Sequence, residues 1–346
     1  KAAKERLVQM PQLYPAPQTQ NIEILSLEAE AVAGIKEFFK THKYLPNLSI
    51  CVSGVGNNTF SALISDIIPD YSITPSSQCF PLYYYEKLEP KDLEPDLFSK
   101  QEVKKNTSYY KRKDAIRDEA LGHFRENYKN SKITKEDIFY YIYALLNHKG
   151  YIEKYKDSLS KMLPRLPLAK DFKEFVRLGR ELARVHLDYE GFAKESESGA
   201  KLLKKDLAKE QTGLFAPNKL EVLKELENLS EEEFKITKLR FLIKGEKNSI
   251  IFNDKFIIEN IPAKAYNYVV NGKSGIEWIM DRYQVKQYKD SQLTNDPNHY
   301  ESQSGALKGL KGGKYVLYLL LSVIEMSVKS VDLIEEISKL SIEERL

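Results

Sequence analysis

The stretch ITKEDIFYYIYALLNHKG, residues 133–150, is typical of a complete helix with both ends marked in the sequence. Thr134 stands at the N-cap, acidic residues fill the first turn, and Gly150 follows near the C-terminal end. A hydroxyl at the N-cap accepts hydrogen bonds from free backbone N–H groups, and acidic side chains interact favourably with the positive end of the helix dipole. Because residues 107–187 continue the helical pattern, we predict a helical bundle around this segment.

Three further helices are predicted beside it, one of which ends around Met162, before the PRLP segment. The segment KRKDAIRDEALGHFRENY (111–128) carries apolar residues at the three-to-four spacing of one helix face. These residues are Ile116, Ala120, Leu121, Phe124 and Tyr128. The segment DFKEFVRLGRELARVHL (171–187) has an apolar face formed by Phe172, Phe175, Leu178, Leu182 and Val185. Its arginines Arg177, Arg180 and Arg184 recur at helical spacing and therefore form one basic stripe.

The part before the bundle is predicted to be rich in β-structure. Three short strands are predicted in NLSICVSGV (47–55), FSALISDIIPDYSI (60–73) and SQCFPLYYYE (77–86). Pro81 cannot donate a backbone hydrogen bond, which places the third strand at a sheet edge or a bulge. Residues 25–45 have helical composition and are predicted to be an insertion. The run 87–106, with two prolines, is predicted to be a linker.

The part after the bundle mixes both kinds of structure. A polar stretch at 194–213 predicts a loop with some helix, and residues 233–261 predict a β-meander with turn signals between apolar runs. Ser274 is predicted to cap a short helix in GIEWIMDRYQV (275–285), and Lys314–Met326 is predicted to be an apolar helix. The fold class is therefore α+β. Its predicted parts are a β-rich region at 1–100, a helical subdomain at 101–192, a variable linker at 193–232, and a β-meander with C-terminal helices at 233–346.

The composition narrows the class of function. No apolar run approaches the roughly 20 residues of a membrane helix and no signal peptide opens the chain, so we expect no membrane partner and a cytoplasmic location. The two cysteines, Cys51 and Cys79, lack metal-ligand spacing and fit a reducing compartment. The first residues, KAAKERLVQM, lack an initiator Met and indicate a segment of a longer chain.

Motifs of known catalytic chemistry are missing from the sequence. The run GLKGGKY (309–315) has the composition of a phosphate-binding loop without its spacing or its Ser or Thr. Dinucleotide-binding, zinc-protease and nucleophile-elbow motifs do not occur either. Asp70, Glu89 and Lys91 imitate the pattern of metal-dependent nucleases, which leaves a magnesium-dependent nuclease as an alternative. From the residues alone we predict no catalytic residue, no metal site and no bound cofactor in this chain.

Charge is unevenly distributed along the chain. The formal net charge of +3 is too small to indicate a nucleic-acid partner by itself. Residues 99–135, however, carry eleven Lys and Arg against five acids, whereas residues 216–235 carry six Glu against three Lys. Such a basic run is either a DNA-binding patch or a solvated helix face. Both interpretations stay open at this point.

Several blocks of sequence, taken together and in order, resemble the C-terminal specificity region of the Type ISP restriction-modification enzymes. The blocks are LVQMPQLYP (7–15), NLSICVSGVG (47–56), FSALISDIIPD (60–70), QCFPLYYYE (78–86), ITKEDIFYYIYALLNH (133–148), KMLPRLP (161–167), GRELARVHLDYE (179–190), AYNYVVNGKSGIEWIMDRYQV (265–285) and NDPN (295–298). The resemblance covers the chain from residue 7 to about residue 330. Residues 25–45 and 191–232 depart from the family pattern.

The resemblance implies a function that the residues alone do not. In that family, a nuclease, a helicase-like translocating ATPase and an N6-adenine methyltransferase precede a target recognition domain on one polypeptide. The implied function is sequence-specific recognition of double-stranded DNA, with the upstream methyltransferase and helicase domains as partners. S-adenosylmethionine, ATP and magnesium are then expected in those domains and not in this chain. The alternative is a docking module between methyltransferase and helicase that does not read bases.

Candidate DNA contacts follow from the residue types that hold phosphates and read base edges. They lie in the basic segment, the arginine stripe, the loop after the first strand, and the region after GIEWIMDRY. The candidates are Lys104, Lys105, Lys111, Arg112, Lys113, Arg117, Arg177, Arg180, Arg184, Asn57, Asn58, Thr59, Arg282, Gln284, Lys286, Lys289 and Asn295. Each patch has a structural alternative: a solvated helix face, intrahelical ion pairs, a plain turn, or an Asn-Asp-Pro turn whose side chains bond their own backbone.

Overall fold

The computed structural model of the 346-residue chain describes most of the sequence. The described residues are 8–9, 47–56, 59–69, 73–74, 76–87, 110–204, 223–224, 226–287 and 294–343. Within them the predicted α+β class is confirmed, with six α-helices and several small antiparallel sheets. The predicted insertion at 25–45 and the predicted linker from residue 88 onwards lie outside the described residues.

The secondary structure alternates between short strands and helices. The helices are α1 (Asp118–Tyr128), α2 (Lys135–Leu146), α3 (Lys149–Leu159), α4 (Phe172–Leu187), α5 (Gly275–Arg282) and α6 (Gly312–Ile337). The strands are β1 (Val8–Gln9), β2 (Ser49–Val52), β3 (Ala62–Ser65), β4 (Gln78–Pro81), β5 (Tyr83–Lys87), β6 (Tyr110–Asp114), β7 (Arg165–Leu166), β8 (Lys201–Lys204), β9 (Arg240–Phe241), β10 (Ile250–Ile251), β11 (Phe256–Glu259), β12 (Val269–Val270), β13 (Lys273–Ser274), β14 (Lys286–Gln287) and β15 (Thr294–Asn295).

The chain divides into two compact units, which are described separately. The first unit comprises Lys1–Leu146, Tyr151–Val176 and Ser341–Leu346, and the second comprises Asn147–Gly150 and Arg177–Leu340. The four regions that the sequence predicts, with boundaries at residues 100, 192 and 232, stay a prediction.

A three-stranded antiparallel sheet in the order β3-β2-β4 lies in the first unit. All four residues of the central strand β2 are buried, in agreement with its continuous SICV run. The expectation for Pro81 is confirmed, because it ends the edge strand β4, where its missing N–H weakens the sheet least. After Leu82 the chain leaves this sheet and forms a separate two-stranded ribbon of β5 and β6.

The basic segment begins as a strand, so the helix predicted from Lys111 is wrong over its first residues. Tyr110–Asp114 is β6, and α1 begins only at Asp118, with Arg117 extended at the N-cap. The cause is tertiary, because the tyrosines of β5 give β6 aromatic cross-strand neighbours that favour strand pairing. Within α1 the predicted apolar face is buried at Ala120, Phe124 and Tyr128.

Helix α2 is the core of the bundle in the first unit. Its predicted N-cap is confirmed: the Asp137 N–H donates to Thr134 Oγ1 at 3.1 Å, and the Thr134 N–H donates to Asp137 Oδ2 at 2.9 Å. The end predicted near Gly150 is wrong, because α2 ends at Leu146 and Gly150 lies in the first turn of α3. All residues from 141 to 146 are buried. The buried Tyr141 hydroxyl accepts from the Ala169 N–H at 3.0 Å and donates to the Pro167 carbonyl at 2.5 Å. These bonds satisfy a hydroxyl that would otherwise destabilise the core.

A four-stranded antiparallel sheet in the order β8-β11-β10-β9 lies in the second unit. Its strands β9 to β11 confirm the predicted meander. The edge strand β8, Lys201–Lys204, falls in the segment predicted as loop with some helix, and that prediction is wrong for these residues. A four-residue KLLK segment is too short to show a periodic pattern, and its pairing with β11 decides its conformation.

Helix α6 forms the buried centre of the second unit and is longer than the predicted Lys314–Met326. Close packing explains the glycines of the GLKGGKY run. A Cβ at Gly312 would lie 2.7 Å from the Asn298 carbonyl oxygen, and one at Gly313 would lie 1.8 Å from the Phe234 carbonyl oxygen. Although α6 is largely apolar, no helix in the described part of the chain has the length and apolarity needed to cross a membrane.

Two histidines are buried in the second unit. The His186 Nε2 lies 3.0 Å from the Ser330 hydroxyl, and burial lowers the pKa of His186 to about 3. The His148 Nε2 lies 3.1 Å from the Leu340 carbonyl, and burial lowers the pKa of His148 as well. Both rings are therefore neutral and structural at ordinary pH.

Candidate DNA interface

The ribbon of β5 and β6 carries three of the four described cations in the basic segment 104–117, namely Lys111, Arg112 and Lys113. Because Tyr85 lies opposite Arg112 and side chains alternate along a strand, Arg112 shares one face with Tyr83 and Tyr85. Lys111 and Lys113 share the other face. The predicted patch is thus divided between two faces of a narrow ribbon. Lys104 and Lys105 lie outside the described residues.

Arg112 is exposed and held in place by aromatic stacking. Its guanidinium carbon lies 4.3 Å from the centre of the Tyr83 ring. Stacking of this kind leaves the N–H donors at the edge of the guanidinium group free for an acceptor such as a phosphate oxygen. Burial raises the pKa of the neighbouring Tyr85, and the positive charge of Arg112 opposes this rise. Arg112 is therefore a preoriented cation on the ribbon.

The other face of the ribbon contains one paired and one exposed lysine. Lys113 forms an ion pair with Glu86, and this hydrogen bond raises the pKa of Lys113. Lys111 lies opposite Glu86 in the strand register and is exposed. Arg117 is also exposed, beyond the ribbon at the N-cap of α1. The four described cations of this segment therefore do not form the single helical patch that the sequence predicts.

The arginine stripe on α4 is only partly available. The residues of the apolar face, Phe175, Leu178, Leu182 and Val185 among them, are buried as predicted. Arg177 Nη1 lies 3.7 Å from Glu181 Oε2, one helical turn away. Arg180 is half-buried, whereas Arg184 is exposed. The predicted alternative of intrahelical pairing therefore applies to Arg177, and Arg184 is the most accessible cation of the three.

The loop after β2 is shaped by close backbone packing. A Cβ at Gly54 would lie 2.1 Å from the Ser76 carbonyl oxygen, so only glycine fits there. Gly56 has a φ of +94° and donates its N–H to the Ser160 carbonyl at 2.8 Å. Thr59 is exposed, while Asn57 and Asn58 lie outside the described residues.

The region after GIEWIMDRY forms a second narrow ribbon, in which β14 pairs with β15. The Asn295 side-chain amide donates to the Arg282 carbonyl at 2.9 Å and to the Gln284 carbonyl at 3.0 Å. The Gln284 amide donates to the Asp281 carbonyl at 3.1 Å. Lys286 is exposed on the ribbon, and Lys289 lies outside the described residues. Asn295 and Gln284 thus hydrogen-bond to the protein's own backbone.

Helix α5 precedes this ribbon in the chain and contains Trp278, the only tryptophan of the sequence. The predicted cap is confirmed, because Ser274 and Glu277 form a capping box. Trp278 Nε1 donates to the Val270 carbonyl at 2.8 Å, and the Arg282 guanidinium carbon lies 5.4 Å from the Trp278 ring centre. Arg282 is exposed and lies beside an aromatic ring, as Arg112 does.

The Asn-Asp-Pro-Asn turn is structural in its described contacts. Asn298 Oδ1 accepts from the Ile236 N–H at 2.9 Å, and Asn298 Nδ2 donates to the Ile236 carbonyl at 2.8 Å. Asp296 accepts from the Asn298 N–H at 2.9 Å, and Pro297 is buried. The Asp296 bond corresponds to the alternative in which the turn bonds its own backbone, whereas Asn298 bonds the backbone of the distant Ile236.

The sequence-based candidates omit a cleft between the end of α1 and the start of α4, in the first unit. The cleft has a volume of about 910 Å³. Tyr128 and Phe172 line it, with ring centres 4.7 Å apart. Its charged lining residues are Lys129, Lys132, Lys170, Lys173, Asp171 and Glu174. Lys129 and Lys132 belong to the basic run 99–135, but Lys170 and Lys173 follow about 40 residues later, and only the fold brings the two pairs together.

No group of three or more His, Cys, Asp and Glu side chains suited to a metal ion occurs among the described residues. Asp70, Glu89 and Lys91, which imitate a nuclease pattern, lie outside the residues that the structure describes. The nuclease alternative therefore stays a prediction from sequence.

Fold and surface together define an α+β module with exposed cations on two narrow antiparallel ribbons, Lys111 and Arg112 on the first and Lys286 on the second. The model of the Type ISP C-terminal specificity domain family matches residues 15–311, and the chain belongs to this family. The suspected resemblance is thereby confirmed. A sequence comparison with curated proteins gives no significant match.

Solved structures agree with the family assignment. The ATP-dependent Type ISP restriction-modification enzyme LlaBIII bound to DNA is 31% identical over 86% of this chain, with a TM-score of 0.62. A nuclease-deletion mutant of the Type ISP enzyme LlaGI, in complex with a DNA substrate mimic, is 29% identical over 88% of the chain, with a TM-score of 0.60. The DrdV–DNA complex shares the fold at 24% identity over 87% of the chain, with a TM-score of 0.61. The chain spans only 16%, 18% and 25% of these three proteins, respectively.

Proposed function

We propose that this chain is the target recognition module of a Type ISP restriction-modification enzyme and that it binds a short sequence in double-stranded DNA. The observation that carries the proposal is the likeness to two Type ISP enzymes that were solved with DNA or a DNA mimic. That likeness extends over 86% and 88% of this chain.

The proposal assigns the chemistry to other parts of a longer polypeptide. An N6-adenine methyltransferase and a helicase-nuclease precede this module, and they use S-adenosylmethionine, ATP and magnesium. This module is itself non-catalytic and acts in the cytoplasm, where it presents the target adenine to the methyltransferase. DNA recognition and methyl transfer thus lie in different domains. Recognition requires a surface complementary to DNA, whereas methyl transfer requires a cofactor site.

The β5–β6 ribbon is the surface that we propose to hold the DNA backbone. A two-stranded ribbon fits the major groove, and Lys and Arg on it neutralise phosphates and release counterions. Lys111 is exposed, and Arg112 is exposed with its orientation fixed by Tyr83. The lysine-lined cleft is a second cationic surface in the same unit. Lys286 on the second ribbon and Arg282 at the end of α5 are further exposed candidates.

Two measurements test the proposal. In the first, fluorescence anisotropy of a labelled duplex is followed at several salt concentrations with the chain joined to its methyltransferase. We expect affinity to fall linearly with salt on logarithmic axes, with a slope of roughly one per phosphate contact. Binding that does not respond to salt contradicts the proposal.

The second measurement separates base recognition from docking. This chain replaces the corresponding region of a Type ISP relative, and adenine methylation is mapped across a genome. We expect the methylated sequence to change to a new one. If methylation continues at the relative's original sequence, the chain is a docking module between methyltransferase and helicase.

A further inference from the structure

The two cysteines of the chain face each other across the sheet of the first unit. Cys51 on β2 is the register partner of Cys79 on β4. Pro81 has no N–H, and the next residue, Leu82, donates its N–H across to the Leu48 carbonyl at 2.7 Å. Because hydrogen-bonded and non-hydrogen-bonded pairs alternate along antiparallel strands, Cys79 occupies a non-hydrogen-bonded position. The Cα atoms of such a pair are about 4.5 Å apart, within the range that a disulfide spans.

The sulfur atoms have the arrangement of an attacking and a resolving thiol. They lie 3.3 Å apart, and the Ser77 hydroxyl lies 3.5 Å from the Cys79 sulfur. Cys51 is fully buried, whereas Cys79 is exposed on the edge strand. A reagent in solution therefore reaches only one of the two sulfur atoms.

The two thiols of the pair also differ in pKa. When one proton has left, the remaining thiol of Cys51 donates to the Cys79 sulfur, and this hydrogen bond lowers the pKa of Cys79 to about 6. The same hydrogen bond, together with burial, raises the pKa of Cys51. Since the thiolate is the nucleophile in exchange reactions, the exposed sulfur is also the reactive one.

We propose that Cys51 and Cys79 form a thiol–disulfide exchange site whose co-reactant is a low-molecular-weight disulfide. The Cys79 thiolate attacks one sulfur of that disulfide, which forms a mixed disulfide and releases one thiolate. Cys51 then loses its proton to solvent and attacks the Cys79 sulfur. The Cys51–Cys79 bond forms, the second small thiolate leaves, and both released thiolates take up protons. Two protein thiols are thus oxidised while one small disulfide is reduced to two thiols.

The crosslink affects a segment that contains candidate DNA contacts. It joins residues 28 positions apart in the chain and encloses Asn57, Asn58 and Thr59. A bond between the central strand β2 and the edge strand β4 prevents the edge strand from separating from the sheet. The site is independent of the proposed DNA function, because its reaction requires neither DNA nor the upstream domains.

The test uses the full 346-residue chain with oxidised glutathione. Free thiols are titrated over time, and non-reduced peptides are mapped by mass spectrometry. We expect both thiols to disappear together, a Cys51–Cys79 linked peptide to accumulate, and dithiothreitol to restore both thiols. A glutathione adduct that persists on Cys79 without crosslinking overturns the proposal.

Two variants identify the order of attack. In Cys51→Ser, the reaction should stop at the glutathione adduct of Cys79. In Cys79→Ser, a change at an exposed position, Cys51 should react at least about tenfold more slowly than Cys79 does in the unsubstituted chain, because burial shields its thiol and raises its pKa even without Cys79. Equal reactivity of Cys51 in that variant, with an unchanged thermal unfolding midpoint, contradicts the assigned roles.

Discussion

The β5–β6 and β14–β15 ribbons both carry candidate DNA contacts, but they differ in whether those side chains bond to the backbone of the chain itself. On the first, Lys111 and Arg112 are exposed, and Arg112 rests on an aromatic ring. On the second, the Asn295 amide is occupied by two backbone carbonyls of the same chain. One of those carbonyls belongs to Arg282, the last residue of α5, where helix geometry leaves carbonyl groups without helical partners.

The difference shows what decides whether a polar residue is available to DNA. The Asn295 amide donates to backbone carbonyls at and just after the end of α5, because carbonyls at a helix end lack helical donors. Arg112 and Lys111 lie on paired strands whose backbone groups already bond across the ribbon, so their side chains project freely. Residue type alone therefore does not distinguish a base contact from a structural amide.

The largest expected effect is on the first ribbon. We expect the Lys111→Ala/Arg112→Ala double variant to weaken DNA binding by about 10-fold to 100-fold and to reduce the salt slope by about two. The free energy of unfolding should fall by no more than about 1 kcal/mol, because both side chains are exposed and only the stacking of Arg112 on Tyr83 is lost. Fluorescence anisotropy at several salt concentrations measures the effect.

The matched control for the first ribbon is Lys244→Ala/Lys308→Ala, which removes the same charge at two other exposed positions. An equal loss of affinity in this control would mean that only net charge matters, and the contrast between the ribbons would fail.

The second prediction concerns the pH dependence of stability in the unit that contains β14–β15. His186 and His148 are buried in the unit that contains β14–β15. The pKa of His186 is about 3 in the folded chain against an ordinary 6.5, so the unfolded chain binds the proton first as pH falls. Its stabilising contribution is complete above pH 6.5 and decreases toward pH 3, by about 1.4 kcal/mol per pH unit at most.

Fluorescence of the single Trp278 reports on unfolding of this unit. Between pH 7 and pH 5 we expect a loss of about 2 kcal/mol from His186, measured as the difference between the unsubstituted chain and His186→Gln. If both proteins show the same pH dependence of unfolding, His186 is not the group responsible.

The third effect concerns the amide of the second ribbon. Asn295→Ala should lower the free energy of unfolding by about 0.5–1.5 kcal/mol, because two carbonyls near the surface lose their donor and water replaces it only in part. DNA affinity of the folded protein should stay unchanged. Gln287→Ala, at an exposed neighbouring position, should change neither quantity. A loss of affinity without a loss of stability in Asn295→Ala would make Asn295 a DNA contact.

The smallest effect is expected for substitutions in the α4 stripe, where Arg177 pairs with Glu181 and Arg184 is exposed. Arg177→Ala should lower the free energy of unfolding by only a few tenths of a kcal/mol, since its pair with Glu181 is exposed to solvent. Arg184→Ala should leave stability unchanged, and any loss of DNA affinity should be greater for Arg184 than for Arg177. Chemical denaturation and anisotropy on the two variants provide the comparison, and the reverse order of affinities contradicts it.

The sequence by itself determined those features whose cause lies within a few residues. The Thr134 and Ser274 caps, the buried face of α4 and the β-meander depend on local spacing, and all appear as predicted. Pro81 at an edge strand follows from a property of the residue itself. Family membership was equally visible, because long collinear blocks are preserved along the chain.

The tertiary structure decided the features that require a partner distant in the chain. Lys111 to Lys113 became a strand because β5 pairs with them, and KLLK became β8 because β11 does. The Asn295 side chain bonds to the protein backbone because the carbonyls of Arg282 and Gln284 lie beside it. The facing cysteines and the lysine-lined cleft likewise bring together residues separated by tens of positions. Local pattern records which conformations a segment favours, whereas its final conformation and the direction of its side chains depend on which distant groups complete its hydrogen bonds.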